Sequence, residues 1–132
     1  MATRLFVLWM PVAIYMAGIF YFSSLPGTQL TIELPDKPIH LLIYSFMGLL
    51  VVRALSGGLP ARISSTVAAG ALVLTVAYGV TDEFHQSFVP GRSADLQDLY
   101  ADTAGAVLGV SACWVWGIIS CGSRHSPGAP ST

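Results

Sequence analysis

Between Val80 and Asp98 the chain reads VTDEFHQSFVPGRSADLQD, a stretch that carries four of its seven acidic residues, one of its six basic residues and one of its three histidines. A second polar group opens the segment LPDKPIHLLIY, where Lys37, His40 and Tyr44 follow at spacings of three and four and so share one side of a helix. An imidazole titrating near neutrality can take or give a proton. On this basis His40, Asp82, Glu83, Asp98 and Asp102 are the candidate catalytic groups, with His40 as general acid or base and a carboxylate to orient it or activate water. Lys37, Tyr44, Tyr78, Gln86 and Arg92 are the candidate substrate-binding groups, the two cations being suited to phosphate oxygens. Asp82, Glu83, Asp98 and Asp102 also form a candidate ligand set for a hard divalent cation such as Mg²⁺, Mn²⁺ or Ca²⁺. The sequence does not fix a cofactor, because no metal signature such as HExxH accompanies these residues.

The elements that must position these groups are apolar. The chain has 132 residues, 54% hydrophobic and 10% charged, with a mean hydropathy of +0.68. Soluble domains carry about 25% charged residues. This chain is too poor in charge to cover a water-facing surface, so it is expected in a membrane. A net charge of −1 excludes the basic face that nucleic-acid binding needs. Crossing the hydrocarbon core takes about 20 apolar residues in a helix. Four segments qualify, near 5–22, 37–55, 63–80 and 99–119, the third continuing into the polar stretch to close with AYGVTDEFHQ. The expected fold is an all-α, polytopic bundle of four transmembrane helices. It forms a single domain over residues 1–122, followed by a disordered polar tail over 123–132. The first segment lacks an A-x-A-like cleavage site and is expected to remain as a span rather than act as a signal peptide. Cys113 and Cys121 would lie about 12 Å apart along one helix, too far for a disulfide, so both read as small apolar fillers.

With four spans, Arg4, Arg53, Arg62 and Arg124 share one side, and Lys37, Arg92 and all seven acids share the other. The positive-inside rule then places both termini in the cytoplasm of a bacterial inner membrane and the acidic side outside. Trp9, Trp114 and Trp116 read as interfacial anchors. On that outer side Tyr78, Asp82 and Gln86 form a stripe with spacing four, beside Glu83, while Asp95, Asp98 and Asp102 form another. Gly105 and Gly109 extend the second stripe as a small-xxx-small surface for close helix approach. Together the stripes predict an outward-facing polar pocket.

DKPIHLLIY followed by DEFHQSFVPGRSADLQDLYADTAGAVLG resembles the VanZ-like membrane proteins. Their first motif maps onto Asp36, Lys37, His40 and Tyr44, and their second onto Asp82, Glu83, Gln86, Pro90, Gly91, Arg92 and Asp98. Where the family often has Asn before a late glycine, this chain has Asp102 before Gly105. The resemblance implies a small helical membrane bundle from a family named after a protein linked to teicoplanin resistance. It also implies a place among membrane enzymes that act on lipid head groups or lipid carriers of the cell envelope. The expected partners are therefore membrane lipids or lipid-linked envelope precursors, with a homo-oligomer as a further possibility.

Three readings remain open at this stage. The first is a lipid head-group hydrolase or transferase. The second is a protein that binds a lipid or envelope precursor without turnover. The third is purely structural: Asp36 and Asp98 cap helices, Arg92 pairs with Asp95 or Glu83, Pro90–Gly91 makes a turn, and His40 bonds Tyr78 or a backbone carbonyl. Caps alone do not call for His40, Tyr44, Tyr78, Gln86 and Asp102 at membrane depth.

Overall fold

An apolar segment in lipid has only its own backbone to satisfy its N–H and C=O groups. Each of the four segments accordingly closes into a helix in the computed structural model, which describes residues 2–27, 35–59 and 62–122. The helices are α1 (Ala2–Ser23), α2 (Asp36–Leu55), α3 (Ser65–Gln86) and α4 (Leu96–Gly122), and no strand occurs among the described residues. All four are long and apolar enough to cross a membrane. Large apolar side chains face outward on every one, including Phe6, Leu42, Phe84 and Ile118, and Trp9, Trp114 and Trp116 are exposed too. Outward apolar groups suit an acyl-chain surround. Glu33, Arg124, His125 and the polar tail lie outside the described residues.

One helix boundary agrees with the sequence reading and one differs, and both matter to the site. α3 runs on through the polar stretch to Gln86, as the sequence predicts, so Asp82, Glu83 and Gln86 stand on its last two turns. α4 begins at Leu96 rather than Leu99 because Asp95, not Asp98, caps it. The Asp95 Oδ1 accepts the Gln97 N–H at 2.9 Å, and its carbonyl accepts the Asp98 N–H at 3.0 Å. Asp98 is thereby moved into the first turn of α4, where it is buried. Asp36 is likewise no cap. Pro35 takes that position in α2, and Asp36 is the first helical residue.

α2 and α4 form the most extensive helix pair. A Cβ added at Gly105 would run into the Leu41 carbonyl, and one at Gly109 into the Ser45 carbonyl. From the other side, Gly48 of α2 lies so close to α4 that its Cβ would sit 3.1 Å from the Ala106 carbonyl oxygen. The small-residue surface read from the sequence is therefore the contact itself. Below it Met47, Val51, Val52, Ala71, Val110 and Cys113 fill the core. α1 leans on α2 and α3 and makes no contact with α4 among the described residues.

The two ends of the bundle carry different arginines. At one end Arg4 donates to the Gly57 carbonyl at 3.0 Å and Arg53 to the Leu8 carbonyl at 3.4 Å. At the other, Arg92 donates to the Leu25 and Phe22 carbonyls, both at 3.2 Å.

Gly109→Val should destabilise the bundle by about 1–3 kcal/mol, the usual cost of overpacking, read as a lower melting temperature in detergent. In a background without Cys113 and Cys121, Ser93→Cys and Ser56→Cys should react with a membrane-impermeant maleimide from opposite faces of sealed vesicles. Labelling from the same face would contradict the topology.

Candidate functional site

At the Arg92 end three helix ends converge. The first three turns of α2 supply Asp36, His40 and Tyr44, the last turns of α3 supply Asp82, Glu83 and Gln86, and the first turns of α4 supply Asp98 and Asp102. The turn between α3 and α4 supplies Arg92 and Asp95. That turn is tight. Gly91 takes a φ of 75°, and the Arg92 N–H reaches back to the Val89 carbonyl at 3.1 Å. Glycine suits the left-handed backbone there. Gly27 packs directly on the Gly91 carbonyl and leaves no room for a Cβ.

His40 is the centre of the cluster. Its Nδ1 lies 2.9 Å from the Asp102 Oδ1, and its Nε2 faces the Asp36 carboxylate at 3.9 Å. Asp102 has no exposed surface at all, and His40 has only 9%. The His40 and Tyr44 rings lie nearly parallel, with centroids 6.5 Å apart. A second chain of contacts runs alongside. Arg92 Nη1 donates to the Gln86 Oε1 at 3.1 Å, and Gln86 Nε2 donates to the Asp82 Oδ2 at 3.0 Å. The Asp95 N–H donates to the Glu83 Oε2 at 2.9 Å.

Nine of the ten candidate residues fall at this end, but they do different things. Asp82, Glu83, Gln86, Asp98 and Asp102 are buried around His40, with Tyr44 behind them. Lys37 is exposed on the first turn of α2. Among the described residues Arg92 pairs with neither Asp95 nor Glu83, and His40 pairs with neither Tyr78 nor a carbonyl. Tyr78 is the tenth. Its hydroxyl donates to the Met16 carbonyl at 2.6 Å, which ties α3 to α1 away from the cluster. His85 is likewise structural, bonded to the Ser24 hydroxyl at 3.0 Å and stacked on Phe20. Two features escaped the sequence reading. Asp36 lies four residues before His40, a spacing that signals a partner of the imidazole as well as a cap. The backbone N–H of Asp95 carries no sequence signal as a donor to Glu83.

The cluster opens into a cavity of about 1030 Å³. Its polar end is formed by Asp36, His40, Asp82, Gln86, Arg92 and Asp98. From there it runs between α1 and α2 as an apolar groove, past Ile39, Ile43 and Phe46 on α2 and past Gly18 and Ile14 on α1 to Met10. From His40 to Leu50, α2 descends about 15 Å at 1.5 Å per residue. The groove therefore reaches well into the depth of a bilayer leaflet. Tyr15 crosses it, donating to the Ile43 carbonyl at 3.0 Å.

A family model described as VanZ/LLP1 matches residues 6–117. No curated protein and no solved structure matches the chain. The matched stretch takes in all four helices and every residue of the cluster, and the chain belongs to the VanZ/LLP1 family.

Proposed function

We propose that this protein is a membrane enzyme, a hydrolase or transferase that acts on phosphate-bearing lipid head groups or lipid carriers of the cell envelope. The observation that carries the reading is the continuity of the cavity. One end presents an imidazole, carboxylates and a guanidinium, and the same space continues as an apolar groove between two membrane helices. A ligand that fits both ends has a polar head and a long apolar tail, as a phospholipid or a polyprenyl phosphate has. Most small-molecule sites are apolar clefts with a few convergent polar groups. This one differs in reaching sideways toward lipid.

In this reading the tail lies along Ile39, Ile43 and Ile14, and the head meets His40, Gln86 and Arg92 at the mouth. The partners are membrane lipids or lipid-linked precursors. Asp102 accepts the Nδ1 proton of His40, which leaves Nε2 as the basic nitrogen on the side facing Asp36 and the mouth. His40 then takes a proton from an attacking water or alcohol and returns it to the leaving group. The N-termini of α2 and α4 both point to this end and favour the negative head. The end with Arg4, Arg53 and Arg62 is taken as cytoplasmic by the positive-inside rule, so the mouth faces outward from the bacterial inner membrane. A role in glycopeptide resistance would follow from a change in the lipids or precursors at that surface.

One observation favours a binder without turnover. Arg92 already spends its donors on Gln86 and on the Phe22 and Leu25 carbonyls, so it holds structure as much as it offers charge.

Purified protein incubated with phospholipids and polyprenyl phosphates, with and without Mg²⁺, should yield a changed head group by mass spectrometry. His40→Ala should slow that conversion by about 10²–10⁴-fold, the usual loss of a general acid–base, while its circular dichroism stays helical. Saturable lipid binding with no product from any lipid would favour the binder instead.

A further inference from the structure

Three carboxylates in the cluster share one arrangement. Asp102 receives His40 on Oδ1, Glu83 receives the Asp95 N–H on Oε2, and Asp82 receives Gln86 on Oδ2. In each, the second oxygen is buried and no donor among the described residues reaches it: Asp102 Oδ2, Glu83 Oε1 and Asp82 Oδ1. The residues are 0%, 7% and 4% exposed. Each of the three carboxyl groups is thus held through one oxygen by a protein hydrogen bond, with the other oxygen lacking a donor among the described residues. Burying a carboxylate oxygen without a partner is costly, and burying several side by side adds repulsion.

The cations at this end do not resolve that repulsion. Lys37 is exposed, and Arg92 is engaged with Gln86 and two carbonyls. His40 satisfies one oxygen of one carboxylate. Yet an oxygen of Glu83 and an oxygen of Asp102 lie within 4.8 Å of each other, close enough to hold one ion between them, with a ring nitrogen of His40 as near.

The geometry points to a divalent-cation site in which Glu83 and Asp102 bind a hard ion of the Mg²⁺/Mn²⁺ class. Asp82 adds negative charge beside it, and His40 orients Asp102 from behind. The ligand types select the ion. Two protein carboxylates are too few for the six to eight oxygens Ca²⁺ takes, whereas Mg²⁺ is commonly held by one or two carboxylates with water and phosphate completing its octahedron. The hydrogen bonds to Asp102 Oδ1 and Glu83 Oε2 are the supports that ligating carboxylates usually have. A second grouping, Asp36, His40 and Asp98, lies nearer the mouth. Exposed Asp36 makes it the weaker site, since water already satisfies that carboxylate. The inner site goes beyond the lipid reading and does not depend on which lipid fills the groove.

Full-length protein in a phosphate-free maltoside detergent, stripped with EDTA, is titrated with MnCl₂ while the free-ion EPR signal is followed. One Mn²⁺ per chain should bind saturably, be displaced by MgCl₂, and raise the melting temperature. Glu83→Gln and Asp102→Asn should each weaken binding at least about tenfold, as loss of a group supporting a metal does. Asp36→Asn should bind as the wild type does. Absence of saturable binding, an affinity unchanged in both inner variants, or a loss confined to Asp36→Asn would each overturn the assignment. If neither inner variant folds, the wild-type titration and melting shift decide it alone. Mn²⁺ binding without lipid turnover leaves the cation site standing and removes the enzyme reading. Turnover that EDTA does not affect, in a protein that binds no Mn²⁺, does the reverse.

Discussion

The constraint on which the structure depends is the burial of ionisable groups in a bundle with almost no other charge. A charged side chain at mid-membrane costs about 2.5–3.5 kcal/mol by insertion scales. Asp102 is fully enclosed, and Asp82, Glu83 and Asp98 are nearly so. None can be tolerated alone. For Asp102, Asp82 and Glu83 the fold answers with specific donors, each placed by a different element. They are an imidazole from α2, a side-chain amide one turn along α3, and a backbone N–H from the turn before α4. The elements are held in register by the groups they bury.

The closeness of α2 and α4 belongs to the same solution. Gly105 lies one turn beyond Asp102, and Leu41, whose carbonyl it packs against, directly follows His40. The backbones thus approach most closely beside the point where the His40 and Asp102 side chains must meet at 2.9 Å. A larger residue at Gly105 would push the helices apart and open that contact. The glycines that pack the membrane bundle also set the length of its central polar contact. Helix association in lipid rests on such packing, because acyl chains are as apolar as the side chains they would replace.

The sequence made some of this legible. Four charge-poor runs near helical spanning length leave few alternatives, and spacings of three and four put His40 with Tyr44 and Asp98 with Asp102 on common helix faces. The convergence of the stripes followed from the topology. The partners did not. That His40 meets Asp102 rather than Tyr78 depends on how α2 and α4 are rotated about their axes, which the glycine contact decides and the pattern of α2 alone does not reveal. Tyr78 shared a stripe with Asp82 and Gln86, yet it lies one turn too deep and is drawn aside by α1. Asp95 hid its main role because a backbone N–H has no residue type. The groove was not legible, because it is the space between α1 and α2, and apolar residues that line a gap look the same as those that fill one.

α1 shows how that gap survives. It brings no carboxylate and few packed side chains, and only Leu8, Val12 and Ser23 on it are buried. Donors on other elements reach its carbonyls instead: Tyr78 to Met16, and Arg92 to Phe22 and to Leu25 just beyond the helix end. Carbonyls at a helix C-terminus lack intrahelical partners, so Arg92 supplies what the end of α1 needs in any case. The same guanidinium holds Gln86, which holds Asp82. The wall of the apolar groove and the carboxylates of the polar end are therefore joined through one side chain. A displacement of α1 must be felt at Asp82, and a ligand that draws Arg92 away from Gln86 must loosen the end of α1.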